Sequence, residues 1–244
     1  MKNRVLLLLV LVIGVFSNIG VALSEEIKTR PKAVVELFTS QGCSACPPAD
    51  EIFLELTGRS DILALSYHVD YWDYIGWVDT FGNPENSDLQ RSYAASLGNA
   101  RVYTPQMVIN GAMDVVGSRR DEVESGIDAG NLPVIVDLSY SGGLLEVKIP
   151  GNLSGNESVV YLVTFRSRAE VAIMRGENRG KFITYAQIVT SRQIIGMWDP
   201  QKGAQLVLPM VELLDGDNDG VVIMVQQQTD GNPGPILGAS LFQM

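Results

Sequence analysis

From residue 32 to about residue 130, short apolar runs alternate with stretches of helical periodicity, the pattern of strand-helix-strand units around a mainly parallel sheet. The run Ala33-Val34-Val35-Glu36-Leu37-Phe38 predicts a first strand, residues 48–57 a helix with proline near its start, and residues 62–68 a second strand. Residues 86–97 predict another helix, which Gly98 is placed to stop. Residues 106–109 and 113–116 flank Asn110-Gly111, a pair that favours a hairpin turn. A closing helix is expected over 118–129, with Ser118 as its cap, Asp121 and Glu122 in its first turn and Gly130 beyond its end.

Beyond Pro133 the pattern changes. Residues 134–138, 144–149, 159–165, 171–174, 183–188, 205–208 and 221–227 are short β-type runs with turn residues between them, the signature of an all-β sandwich. The expected fold class is therefore α/β in the N-terminal half followed by an all-β, sandwich-like C-terminal domain, with the boundary near Asn131-Leu132. Residues 175–179 and the loop around Met197-Trp198 look more specified than plain turns, and the sequence assigns them no chemistry.

The first residues read as an export leader. Lys2 and Arg4 supply the positive region, residues 5–16 the apolar stretch, and Ala22-Leu23-Ser24 the small residues before a cut after Ser24. The uninterrupted apolar run is shorter than the roughly 20 residues a spanning helix needs, although an uncleaved anchor stretched through Gly20 to Leu23 is the alternative. The expected organisation is a leader over 1–24, an α/β domain over 25–131 and a β domain over 132–244, in a periplasmic or secreted protein without stable membrane insertion once the leader is removed. With a net charge of −10 the chain makes an unfavourable partner for nucleic acid or an anionic lipid surface.

The two cysteines stand together as Cys43-Ser44-Ala45-Cys46, after the first predicted strand and before the first predicted helix. C-x-x-C at such a junction is the arrangement of a thiol-disulfide redox site. Backbone N–H groups at a helix N-terminus favour negative charge, so Cys43 is the expected thiolate and Cys46 the partner that resolves a mixed disulfide on it. A structural disulfide over so short a loop restrains the unfolded chain little. Structural zinc wants four ligands, whereas this chain has two cysteines and one histidine, His68. Soft thiolates select Cu(I), which leaves Cys43, Cys46 and His68 as an alternative metal set.

His68 and Asp70 fall at the C-terminal end of the second predicted strand, on the sheet edge from which Cys43 emerges. His68 is placed to pass a proton or bind a metal there, or to serve as a buried structural histidine. Tyr71, Trp72, Tyr74, Trp77 and Phe81 follow as an aromatic cluster. Trp72 and Trp77 either floor a client groove beside Cys43 or pin an insertion to the sheet.

The element order, with Tyr103-Thr104-Pro105 before the predicted hairpin, resembles the thioredoxin fold. The resemblance implies a thioredoxin-like N-terminal domain, a cis bond before Pro105 facing the cysteines, and backbone pairing of Thr104 with a client strand. It also makes Glu36 the candidate buried proton acceptor, one residue further from the first cysteine than in thioredoxins. The runs Glu36 to Cys43, His68 to Asp73, Gly76-Trp77, Tyr103 to Gln106, Gly176-Glu177-Asn178 and Val225-Gln226 resemble an uncharacterised family of exported bacterial and plant proteins, catalogued as a domain of unknown function. That likeness implies a fold and a thiol pair but no substrate.

The leading expectation is an exported thiol-disulfide oxidoreductase that reduces client disulfides, with no cofactor beyond the Cys43-Cys46 pair. Its partners are the thiols and disulfides of exported clients and an exported electron donor. Two alternatives stay open: a copper carrier using the same thiols, and a β domain that recognises a partner on a redox-sensitive platform. Asp215 to Gly220 imitates half of an EF-hand loop, but Gln226 stands where the bidentate acid belongs, so an acidic turn is the better reading. Asn152-Leu153-Ser154 and Asn156-Glu157-Ser158 match glycosylation acceptors.

Overall fold

The computed structural model describes residues 26–28 and 30–243, and the leader read over 1–24 lies outside them. The strands are β1 (Glu26–Lys28), β2 (Ala33–Thr39), β3 (Ile62–His68), β4 (Gln106–Ile109), β5 (Met113–Val116), β6 (Asp137–Ser141), β7 (Leu144–Ile149), β8 (Ser158–Ala172), β9 (Phe182–Trp198), β10 (Ala204–Pro209), β11 (Gly220–Thr229) and β12 (Asn232–Gln243). The helices are α1 (Pro47–Thr57), α2 (Pro84–Ser96), α3 (Arg120–Asp128) and α4 (Met210–Leu213). A 3-10 turn spans Asp73–Ile75.

Nine strands form one mixed sheet in the order β1-β12-β11-β8-β9-β3-β2-β4-β5, and β10-β7-β6 form a second sheet. This corrects the expected fold class. Instead of a thioredoxin-like α/β domain followed by a separate all-β sandwich, the chain makes a predominantly β fold whose main sheet passes through both halves. The join is the parallel contact of β3 with β9 at Ser66↔Ile188, where the Ser66 hydroxyl donates to the Ala186 carbonyl at 2.8 Å. The sequence hid this because β8 and β9, of 15 and 17 residues, read as separate short strands. Register shifts beside Tyr161 and Phe165, and Gln187 with φ 49°, break their periodicity. Strand β12 is not expected from the sequence, because Pro233, Gly234, Pro235 and Gly238 argue against a strand. Its proline-bearing segment pairs only with β11, and β1 meets just Leu241 to Gln243, so the prolines occupy an open edge.

Strand alternation divides the core. Ala33, Val35 and Leu37 face Ile52, Phe53 and Leu56 of α1 and Val123 and Ile127 of α3. Val34 and Phe38 point the other way, into a cluster with Leu65, Tyr67, Tyr93, Val163, Val222 and Leu241. The three-stranded sheet covers a third cluster through Leu138, Leu145, Val147 and Ile149. Emptying one of these sites, as in Phe53→Ala, costs about 3–5 kcal/mol.

The helix starts follow local chemistry. Pro47 opens α1 and Pro84 opens α2, and the Asn83 side chain caps α2 by accepting from the Glu85 N–H at 2.8 Å. Helix α3 starts later than expected, at Arg120 rather than Ser118, because the Arg119 N–H turns back to the Val116 carbonyl at 2.9 Å.

Candidate functional site

The parallel pair β2 and β3 ends in register at Thr39↔His68, and the chain leaves β2 through Ser40, Gln41 and Gly42 to Cys43. Cys43 and Cys46 are joined as a disulfide with Cα atoms 5.4 Å apart. Cys46 is the N-cap of α1, its carbonyl accepting from Ala49 at 2.8 Å and Asp50 at 3.0 Å. Pro47 and Pro48 carry no N–H, and the Cys46 N–H donates to the Cys43 carbonyl at 3.2 Å, so what α1 offers a thiolate at the disulfide is the positive end of its dipole. Only Ser44 and Ala45 of the loop are exposed; Cys43 is 1% and Cys46 0% accessible.

What fastens the cysteine loop comes from far along the chain. The side-chain amide of Asn178, in the turn between β8 and β9, donates to the carbonyls of Gln41 and Cys43, both at 2.9 Å. Lys181 Nζ donates to Asn178 Oδ1 at 2.8 Å. The indole of Trp77 donates to Gln41 Oε1 at 2.8 Å, and Gly176, with φ +75°, lets the turn pass so close that an added Cβ would stand 3.2 Å from the Trp77 Cβ. Trp77 and Phe81 pack on the hairpin cluster of Ala169, Ile173, Ile183 and Tyr185. The over-specified stretch 175–179 thus clamps the cysteine loop.

A buried polar cluster lies on the α1 side of the sheet. Asp50, one helical turn after Cys46 and on the same helix face, accepts from the Thr39 hydroxyl at 2.8 Å, while its second oxygen has no partner among the described residues. Burial pushes this carboxyl up to about 7, against the opposing pull of Thr39 and His68. His68, fully buried, shares its Nδ1 hydrogen bond with Asp79 Oδ2 at 2.9 Å and leaves Nε2 without a partner among the described residues. Its ring meets Phe81 and Tyr185 edge-on, at 5.3 and 4.7 Å between centroids. Burial drives the Asp79 carboxyl up, but His68 and the backbone N–H groups of Gln41 and Phe81 outweigh it and hold Asp79 below the usual carboxylate range.

The peptide between Thr104 and Pro105 is cis. Because Phe38 pairs with Gln106, Pro105 reaches the sheet edge beside Thr39, where the cysteine loop begins. Trp72 links the two: its indole donates to Thr104 Oγ1 at 2.7 Å, and its Cβ lies 3.0 Å from where a Cβ on Gly42 would stand. Tyr74 stacks on Trp72 and is 82% exposed.

Two candidates are not brought to the disulfide. Glu36 alternates with Leu37 and Thr39 and points away from α1, where its carboxylate accepts from the Tyr93 hydroxyl and burial raises its pKa. Tyr93 in turn accepts from Gln226 at 2.8 Å, and Gln226 from Arg192 at 2.6 Å. Asp70 accepts from the Ser87 hydroxyl at 2.5 Å and fastens the first turn of α2. The acid missed by sequence reasoning is Asp50. Its signal was available: a carboxylate interrupting the apolar stripe of α1 one turn after Cys46.

With both sulfurs in the disulfide, the set Cys43, Cys46 and His68 offers a metal one nitrogen, and that nitrogen is buried. The acidic turn at Asp215 to Gly220 spends its side chains on the protein, with Asp219 accepting from Ser167 N–H at 2.6 Å and Asp217 paired with Arg166 at 3.1 Å. Among the described residues no helix is long and apolar enough to cross a membrane.

The chain is similar in structure to protein AGR_C_4864 from Agrobacterium tumefaciens, a crystal structure, with 34% identity and a TM-score of 0.78 over 88% of this chain and 95% of that one. HBP35 of Porphyromonas gingivalis shares the fold alone, with 13% identity and a TM-score of 0.57 over 87% of this chain and 74% of that one. No curated protein matches. A family described as "Protein of unknown function (DUF1223)" matches residues 34–226, a span that takes in Cys43, Cys46, Asp50, Pro105 and Asn178. The chain belongs to the DUF1223 family.

Proposed function

We infer that the protein is an exported thiol-disulfide oxidoreductase that reduces disulfides of client proteins. The observation that carries this is the Cys43–Cys46 disulfide closed at the N-terminus of α1, with the buried Asp50 carboxyl one turn behind it and the Thr104–Pro105 backbone at the same sheet edge.

In the reduced protein the Cys43 thiolate attacks one client sulfur. The client S–S bond breaks, and the departing client thiolate takes a proton from solvent. Asp50, as carboxylate, takes the proton of the Cys46 thiol, and the Cys46 thiolate attacks Cys43. The mixed disulfide opens, the second client sulfur leaves as a thiolate and is protonated, and the protein is oxidised by two electrons. A dithiol protein in the same compartment restores the reduced pair. Thr104 offers backbone hydrogen bonds to an extended client segment. The support for export is the sequence pattern read as a leader over 1–24.

Replacing the resolving thiol tests this reading. Cys46→Ser, expressed in the native compartment, traps disulfide-linked clients that release with reductant and disappear in the Cys43→Ser/Cys46→Ser double variant. Absence of any such adduct, together with no reduction of a model protein disulfide by the wild type, overturns it.

A further inference from the structure

We propose that the groove between α1 and the start of β9 receives a basic side chain, lysine or arginine, of the client segment that carries the reacting disulfide. The proposal rests on the exchange reading above and names the substrate feature that the same site selects.

The groove has a volume of about 410 Å³ and is lined by Pro47, Asp50, Glu51 and Leu54 on one wall and by Phe182 and Ile183 on the other. Pro47 directly follows Cys46, so the groove opens beside the disulfide. Phe182 is 74% exposed, a large apolar surface for a residue at the end of a paired strand.

The two carboxyl groups of the groove have no ion-pair partner among the described residues. Asp50 is 5% exposed and its Oδ2 has no partner among the described residues. Glu51 is exposed, and no ion pair to it occurs among the described residues, whereas Glu55 one turn on is held by Arg120 at 2.7 Å. Lys181, the cation at the groove, directs its ammonium to Asn178 at 2.8 Å. Apolar walls with unpaired carboxyl groups suit a side chain with an aliphatic stem and a cationic head. The open face of Phe182 adds a cation–π contact.

Three disulfide-linked peptides that differ only in having Lys, Ala or Glu beside the cysteine test the proposal with the reduced full-length protein. The expected order of kcat/KM is Lys, then Ala, then Glu, in steps of about threefold. Glu51→Lys reverses the order, and Phe182→Ala narrows it. Equal rates for the three peptides, or a preference that survives Glu51→Lys, overturn the groove and leave the exchange reading standing. If no peptide is reduced, the exchange reading falls, and the groove is judged separately by amide NMR of the oxidised protein titrated with the cysteine-free Lys peptide. Shifts at Glu51, Leu54 and Phe182 that the Glu peptide does not produce support it, and their absence removes it.

Discussion

Asn178 lies 135 residues beyond Cys43 in the chain, yet its side-chain amide donates to the Cys43 carbonyl at 2.9 Å. A second bond from the same nitrogen holds the Gln41 carbonyl. The cysteine loop is therefore fastened by the β8–β9 turn, and both cysteines are buried in that arrangement. Asn178→Ala removes both bonds, taking the donor from the buried Gln41 carbonyl and leaving the Cys43 carbonyl only the Cys46 N–H, at a cost of about 1–3 kcal/mol. It is expected to speed reduction of the disulfide by a small phosphine, read as thiol release with time. An unchanged rate in a folded variant shows that the turn does not control access.

Asp50 makes stability depend on pH with a definite sign. Between its ordinary value of 3.8 and about 7, the folded protein keeps a proton that the unfolded chain has lost. That contribution is complete below the lower value, declines as pH rises through the upper one, and is level beyond it. Asp79, held low, works in the opposite direction on acidification. Asp50→Asn should remove the Asp50 share of the decline between pH 4 and 7, leaving that of Glu36, and exceed the oxidised wild type in stability at pH 8 by about 4 kcal/mol. Denaturant titrations across that range check it; parallel curves for the two proteins would contradict the assignment.

Glu36 should prove structural. Tyr93→Phe strips its carboxylate of a buried donor and is expected to cost about 1–3 kcal/mol in a denaturant titration. The reduction potential should not move, since the network runs through Gln226 and Arg192 on the face away from α1. A shifted potential would return Glu36 to the redox site.

Trp72 ties Thr104 to the cysteine loop, so Trp72→Phe should leave the reaction with small reductants unchanged and raise KM for protein substrates. Equal effects on both would mean that the indole supports the loop itself.

How much of this could be read in advance depends on whether the cause was local. The runs at 33–38, 62–68, 106–109 and 113–116 carry their own turn and helix-start signals, and strands stand there. The C-x-x-C disulfide and the cis Pro105 lie where sequence placed them. The fold class was not legible, because the Ser66↔Ile188 join is a single pairing between segments 122 residues apart, and nothing in either segment names the other. Asp50 was missed although its signal was local, a carboxylate in the apolar stripe of α1; its partner Thr39 stands on another element and is not marked in the sequence. Asn178 was flagged only as part of an unexplained turn, since its partners are backbone carbonyls, which leave no trace in composition.

The reduction potential of the Cys43–Cys46 couple tests the central claim most directly. Among the described residues the hydrogen bonds of Cys43 come from backbone groups and Asn178, Lys181 bonds Asn178 rather than Cys43, and burial opposes the Cys43 thiolate. A thiolate stabilised mainly by the end of α1 makes a stable disulfide and a reducing couple. Equilibration with dithiothreitol redox buffers, thiols counted by alkylation, should give about −270 mV. A value above about −180 mV, which marks an oxidant, or well below about −300 mV, which marks a structural bond, would contradict the account.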